Sequence, residues 1–178
     1  QPLPIDIQLP PPTPLVFHDS IRFAAVCFQY SRDDGPWVIN DLNLTIVKGT
    51  RVGFVGSTGS GKSTTLDLLM GLLTPTKGDL LVDGEPLRGA RLRAWQLNIA
   101  HVPQDIYLAD GSLAENIAFG VPLEAIDMDR VQEVARHAQI ADFIECSPEG
   151  YQAIVGEGGV RLSGGQRQRI GIARALYK

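Results

Sequence analysis

Residues 56–63 read Gly-Ser-Thr-Gly-Ser-Gly-Lys-Ser, and they stand between a short apolar run, Arg51 to Val55, and an apolar stretch, Lys62 to Leu73. The order is strand, glycine-rich loop, helix, which is the setting the phosphate-binding P-loop requires. Glycine is needed because the backbone turns its N–H groups inward around phosphate oxygens, in conformations a β-carbon obstructs. The helix beginning near Lys62 adds its positive dipole end. Lys62 is placed to meet the β- and γ-phosphates as a point charge, and the Ser63 hydroxyl to complete a Mg²⁺ shell that keeps several waters. Gly56, Ser57, Gly59, Ser60, Gly61, Lys62, Ser63 and Thr64 are therefore the expected nucleotide-lining residues. The loop alone leaves ATP and GTP, and many reaction types, open.

The remaining chain narrows the fold. Its 178 residues, with 44% hydrophobic and 20% charged side chains, fit one folded domain with a substantial core. The net charge of −4 argues against a nucleic-acid partner. Two cysteines, Cys27 and Cys146, make neither a metal-ligand pair nor a disulfide framework, and both read as buried or half-buried thiols. No apolar stretch approaches the ~20 residues of a membrane-spanning helix. Six of the twelve prolines lie between Pro2 and Pro14, so residues 1–16 read as an extended linker from something upstream, which the resemblance given below makes a membrane domain.

From Ile21, alternation at Ile21, Phe23 and Ala25, and then at Val26, Phe28 and Tyr30, predicts a strand. Leu42, Leu44 and Ile46, after the Ser31–Pro36 turn, predict an antiparallel partner. Asp79–Val82 and Ile99–Val102 read as further strands, with an Asp-Gly-Glu-Pro turn after the first. The first helix is expected to run from Lys62 to Leu73, ended by Pro75 and Gly78. Ser112 with Glu115 predicts a capped helix through Ala118, and Val131, Val134, Ala135 and Ala138 mark the inner face of another. A last helix begins near Ser163 and turns Ile170, Ala173 and Leu176 inward.

Leu162-Ser163-Gly164-Gly165-Gln166, followed by RQRIGIARAL, resembles the signature sequence of the ABC transporter family. Ser163 with Gln166 is also a capping box in its own right. The resemblance runs from about Phe17 to Lys178 and is carried further by Gln104 in VPQD, Tyr30 in CFQYS and Val155-Gly-Glu157-Gly-Gly. It implies an α/β fold: a P-loop NTPase core, an antiparallel β-subdomain and a helical subdomain near 106–162, in an ATP-binding domain spanning 17–178. It also implies the cofactors ATP and Mg²⁺, with Ser63 and Gln104 at the metal and Tyr30 stacked on adenine. Ser163, Gly164, Gly165 and Gln166 are then presented to the ATP of a second nucleotide-binding domain, with Ser163 and Gln104 in catalytic roles. The 155–159 segment resembles the exporter-type loop, and 103–120 resembles exporters that flip lipids or lipid-linked glycans.

The implied setting is the cytoplasmic face of a membrane, as a homodimer joined to transmembrane domains and driven by ATPase activity. In the family an aspartate, a catalytic glutamate and a histidine follow the ARAL segment. The C-terminal part of the core is expected to be absent here, and the 178-residue chain to bind rather than hydrolyse ATP. His18, His101 and His137 read as structural. Two other readings stay open: a soluble ABC ATPase of repair or translation type, and a hydrolysis-deficient regulatory subunit.

Overall fold

The computed structural model describes residues 13–31, 35–156 and 162–178, in two compact units, 1–99 and 100–178. The greater part of the linker, the middle of the Ser31–Pro36 turn and Glu157 with its glycines lie outside the described residues.

The first unit is built on a four-stranded antiparallel sheet of order β2-β1-β3-β4, comprising β1 (Ser20–Phe28), β2 (Ile39–Val47), β3 (Lys77–Val82) and β4 (Glu85–Pro86). The change of phase in the β1 sequence has a backbone cause. Pairing with β2 slips between Phe23 and Val26, and Ala25 there takes a φ of 50°. The bulge resets the alternation, so that Phe23, Val26 and Phe28 are all buried. Asp83 and Gly84, with φ of 52° and 80°, join β3 to β4 as a two-residue turn of the kind an Asp-Gly pair favours.

Against this sheet Leu68 of helix α1 (Lys62–Leu69) and Trp95 of helix α2 (Gly89–Gln96) complete one core. Helix α1 is shorter than the sequence suggests. Gly71, at φ 71°, closes it: the Gly71 N–H donates to the Leu68 carbonyl and the Leu72 N–H to that of Asp67. This left-handed glycine stop forestalls the later Pro75 and Gly78. Helix α2 was not expected, because neither a side-chain cap nor a clear apolar face announces it; Trp95, whose indole N–H donates to the Leu69 carbonyl at 2.8 Å, holds it down.

Two expected strands did not form. Residues 51–57 and 99–103 join no ladder among the described residues, and Val55 is 94% exposed. Their composition suits a buried strand, but a strand exists only through its partners, and none of β1–β4 pairs with either segment.

The second unit is helical: α3 (Leu113–Ile117), α4 (Met128–His137), α5 (Ala141–Glu145) and α6 (Gly164–Tyr177). Its core gathers Leu108, Leu113, Ile117, Val131, Val134, Ile144, Ile170 and Ala173. The face expected of α4, with Val131, Val134, Ala135 and Ala138, is the buried one. Leu176, expected inside, is 46% exposed because the last turn of α6 is held by its backbone instead: Arg130 of α4 donates to the carbonyls of Tyr177 and Leu176. Cys146 is exposed rather than buried, one residue past the end of α5, and Cys27 is half-buried in β1. No helix among the described residues is long and apolar enough to cross a membrane.

Candidate functional site

In the first unit, the P-loop closes on itself around its lysine. The Lys62 ammonium donates to the carbonyls of Gly56 and Ser57 at 2.9 and 2.7 Å and to Ser60 Oγ at 3.3 Å. All three ammonium hydrogens are thus spent on neutral oxygens at the centre of the ring. A phosphate entering there offers anionic oxygens in exchange, a stronger class of acceptor.

Gly61 opens α1 with φ 86°, and a β-carbon on it would come within 2.7 Å of Ile39 Cδ1 and 3.1 Å of the Val38 carbonyl oxygen. No side chain caps this helix start, so its first N–H groups are left to whatever occupies the loop. Thr65 completes the turn, its hydroxyl donating to the Gly61 carbonyl at 2.9 Å.

Tyr30 adjoins the loop. Its hydroxyl and that of Thr64 share a hydrogen bond at 3.1 Å, and its ring meets Phe28 edge to face, with centroids 5.0 Å apart. Anchored at both ends, the ring is still 66% exposed, so one face remains open. Tyr30, Val38, Gly59, Ser60, Gly61, Lys62, Ser63 and Thr64 line one cavity of about 270 Å³. Of the residues expected to grip phosphate, Gly59 to Thr64 meet the aromatic expected under the base in a single space; Gly56 and Ser57 do not line it, and Val38, which sequence reading missed, does.

In the second unit, Gln104 and Gly164 line another cavity, of about 400 Å³, with Asp105, Ile106, Arg167 and Gln168. Sequence reading missed the last four, since nothing in their spacing sets them apart from surface residues. Helix α6 is closed by a reciprocal cap: Gln166 N–H donates to Ser163 Oγ at 3.3 Å, and Ser163 N–H donates to Gln166 Oε1 at 2.8 Å. Having accepted one bond, the Ser163 hydroxyl keeps its own hydrogen to give. Gly164 and Gly165 are exposed, and a β-carbon on either would meet none of the described residues within 4 Å. Among the described residues, nothing requires glycine at these two places.

The model of the ABC transporter family matches residues 39–178, most of the chain. The chain belongs to the ABC transporter family. Its antiparallel sheet, P-loop and helical unit are accordingly those of an ABC ATP-binding domain. Among its relatives, the ATP-dependent lipid A-core flippase of Alkalilimnicola ehrlichii is 45% identical over 158 residues, 89% of this chain and 26% of that protein. The flippase of the same name from Methylococcus capsulatus is 42% identical over 159 residues, again 89% of this chain and 26% of that protein. Among solved structures, that of a bacterial Atm1-family ABC exporter with ATP bound is similar with a TM-score of 0.82 and 36% identity, over 95% of this chain and 29% of that one. The chain thus spans about a quarter of the length of the relatives it matches.

Proposed function

We propose that this chain binds Mg-ATP and that in the intact protein its ABC domain hydrolyses it, as part of an exporter, at a site shared between two copies. The observation that carries the reading is the P-loop ring with Lys62 at its centre and Tyr30 beside it in the same cavity. Lys62 and the start of α1 take the β- and γ-phosphates, and Tyr30 offers its open face to adenine. Bound Mg²⁺ would neutralise charge developing on the transferred phosphoryl group. The residues suit it: none of the described residues lining the cavity around the P-loop is a carboxylate, so the metal would rest on ATP oxygens, water and the exposed Ser63 hydroxyl, a sparse shell that Mg²⁺ accepts. Gln104 is assigned to the metal by family likeness.

The opening of α6 serves the other copy. Ser163 has a hydrogen to donate, and the unobstructed Gly164 and Gly165 let another molecule's phosphate approach the helix start closely. Likeness to lipid A-core flippases and to an Atm1-family exporter supports export, with transmembrane domains as partners, a lipid-like cargo and a place on the cytoplasmic face of a membrane, over the soluble and regulatory alternatives. Residues 17–178 are assigned to this domain and 1–16 to a linker.

Complementation tests the shared site. In the intact protein that carries this chain, Lys62→Ala and Ser163→Ala each lower ATP hydrolysis strongly. Copies mixed before assembly form pairs in which one site has both residues intact, and phosphate release recovers. No recovery in verified mixed pairs would mean that each copy builds its own site.

A further inference from the structure

Residues 103–109, which carry Gln104, form neither helix nor strand, yet they are held to α6 at several points. Arg174, on the third turn of that helix, reaches back to them. Its Nε donates to the Asn116 carbonyl at 2.9 Å, Nη1 to the Tyr107 carbonyl at 3.0 Å, and Nη2 to Asn116 Oδ1 at 3.3 Å. Asn116 is fully buried, and its amide is wholly employed. Nδ2 donates to the carbonyls of Ala109 and Ser112, both at 3.0 Å, while Oδ1 also accepts the Ala109 N–H at 2.9 Å. One residue nearer to Gln104, Ile106 rests on Gly171 so closely that a β-carbon there would lie 2.5 Å from its Cδ1.

A segment without its own ladder or helix takes its position from such contacts, and the hydrogen bonds named here lead to α3 and α6. The same α6 opens with Ser163 and Gly164, and Gly164 shares a cavity with Gln104. A planar guanidinium can serve three acceptors in fixed directions, which an ammonium cannot reproduce. The buried asparagine, with every bond made, specifies one arrangement rather than several.

We propose that Arg174 and Asn116 are positioning residues, a clasp that sets Gln104 against the first turn of α6 so that both present themselves to ATP as one rigid piece. The role given to Gln104 and Ser163 rests on the function proposed above; the clasp itself rests on geometry.

The experiment uses the intact protein in a cysteine-free background, including Cys27→Ser and Cys146→Ser, spin-labelled through Asp105→Cys and Gln168→Cys. Arg174→Gln is expected to broaden the distance distribution between the labels. Without labels it should lower kcat by about 10- to 100-fold while the ATP affinity stays within about 2-fold, the split expected of misplacement rather than lost binding. Arg174→Lys should fall between Arg174→Gln and the parent on both readings. A folded Arg174→Gln protein with parental distances, or with parental kcat, overturns the proposal. Should that variant not fold, Arg174→Lys decides by the same two readings. If the parent protein neither binds nor hydrolyses ATP, the proposed function falls, and the label distances alone then decide the clasp.

Discussion

At the scale of single residues, the site makes two demands that substitution can separate. Tyr30 is tied by its hydroxyl to Thr64 and by its ring edge to Phe28, so ring and phenol have different duties. If the ring stacks on adenine, Tyr30→Phe and Tyr30→Trp keep most of the ATP affinity in a fluorescence titration. Tyr30→Ala loses at least several-fold, on the scale of the ~0.5–1.5 kcal/mol of an aromatic contact. Alanine behaving like phenylalanine would remove Tyr30 from the site. Gly61 is stricter. Alanine there must hold a φ of 86° and crowd both Ile39 and the Val38 carbonyl. Gly61→Ala is expected to cost about 1–2 kcal/mol in urea unfolding from the left-handed backbone alone, and to abolish detectable Mg-ATP binding by distorting the loop. Unchanged affinity would show that the loop does not need its present shape.

At the scale of elements, the described residues hold two reciprocal caps of the same construction, and only one is assigned a part in catalysis. Ser112 and Glu115 close α3 as Ser163 and Gln166 close α6. Replacing either serine with alanine should cost about 1 kcal/mol of stability. Ser112→Ala should leave ATP hydrolysis as it was, whereas Ser163→Ala lowers it beyond anything the melting temperature accounts for. Equal effects of the two would reduce Ser163 to a cap. The turn between β3 and β4 supplies a pH dependence. Burial pushes the Asp83 carboxyl up, but the N–H groups of His18, Asp19 and Ser20, with the charge of His18, outweigh it and hold the group below the usual carboxylate range. The folded state therefore favours the carboxylate. The stability it adds is complete above the ordinary aspartate value of about 3.9 and is lost as the pH falls through the lower folded value. Melting curves from pH 6 to 3 should show Asp83→Asn less stable than the parent at the upper end, the gap narrowing toward the lower; a constant gap would exclude the charge.

At the scale of the whole molecule, what the sequence disclosed was whatever depends on near neighbours. The P-loop glycines, both capping boxes and the antiparallel pairing of β1 with β2 are fixed by spacings of a few residues or by simple alternation, and all are present. What stayed hidden depends on distant parts of the chain. Arg174 meets Asn116 across 58 positions, and a buried asparagine is spelled like an exposed one. The apolar run Arg51–Val55 reads as a strand from its composition, although nothing among the described strands pairs with it. Helix α2 was hidden for a third reason, being held by Trp95 rather than by any cap or periodicity. Of the candidate site, Tyr30 and Gly59 to Thr64 at the P-loop cavity were legible, while Val38 there, and Asp105, Arg167 and Gln168 beside Gln104 and Gly164, were not. The account rests in the end on the ammonium at the centre of the P-loop, and calorimetric titration of Mg-ATP into the parent and Lys62→Ala proteins tests it most directly. Loss of a charge-assisted contact of about 1.5–3 kcal/mol predicts at least ~10-fold weaker binding in the variant, and equal affinity in two equally folded proteins would contradict it.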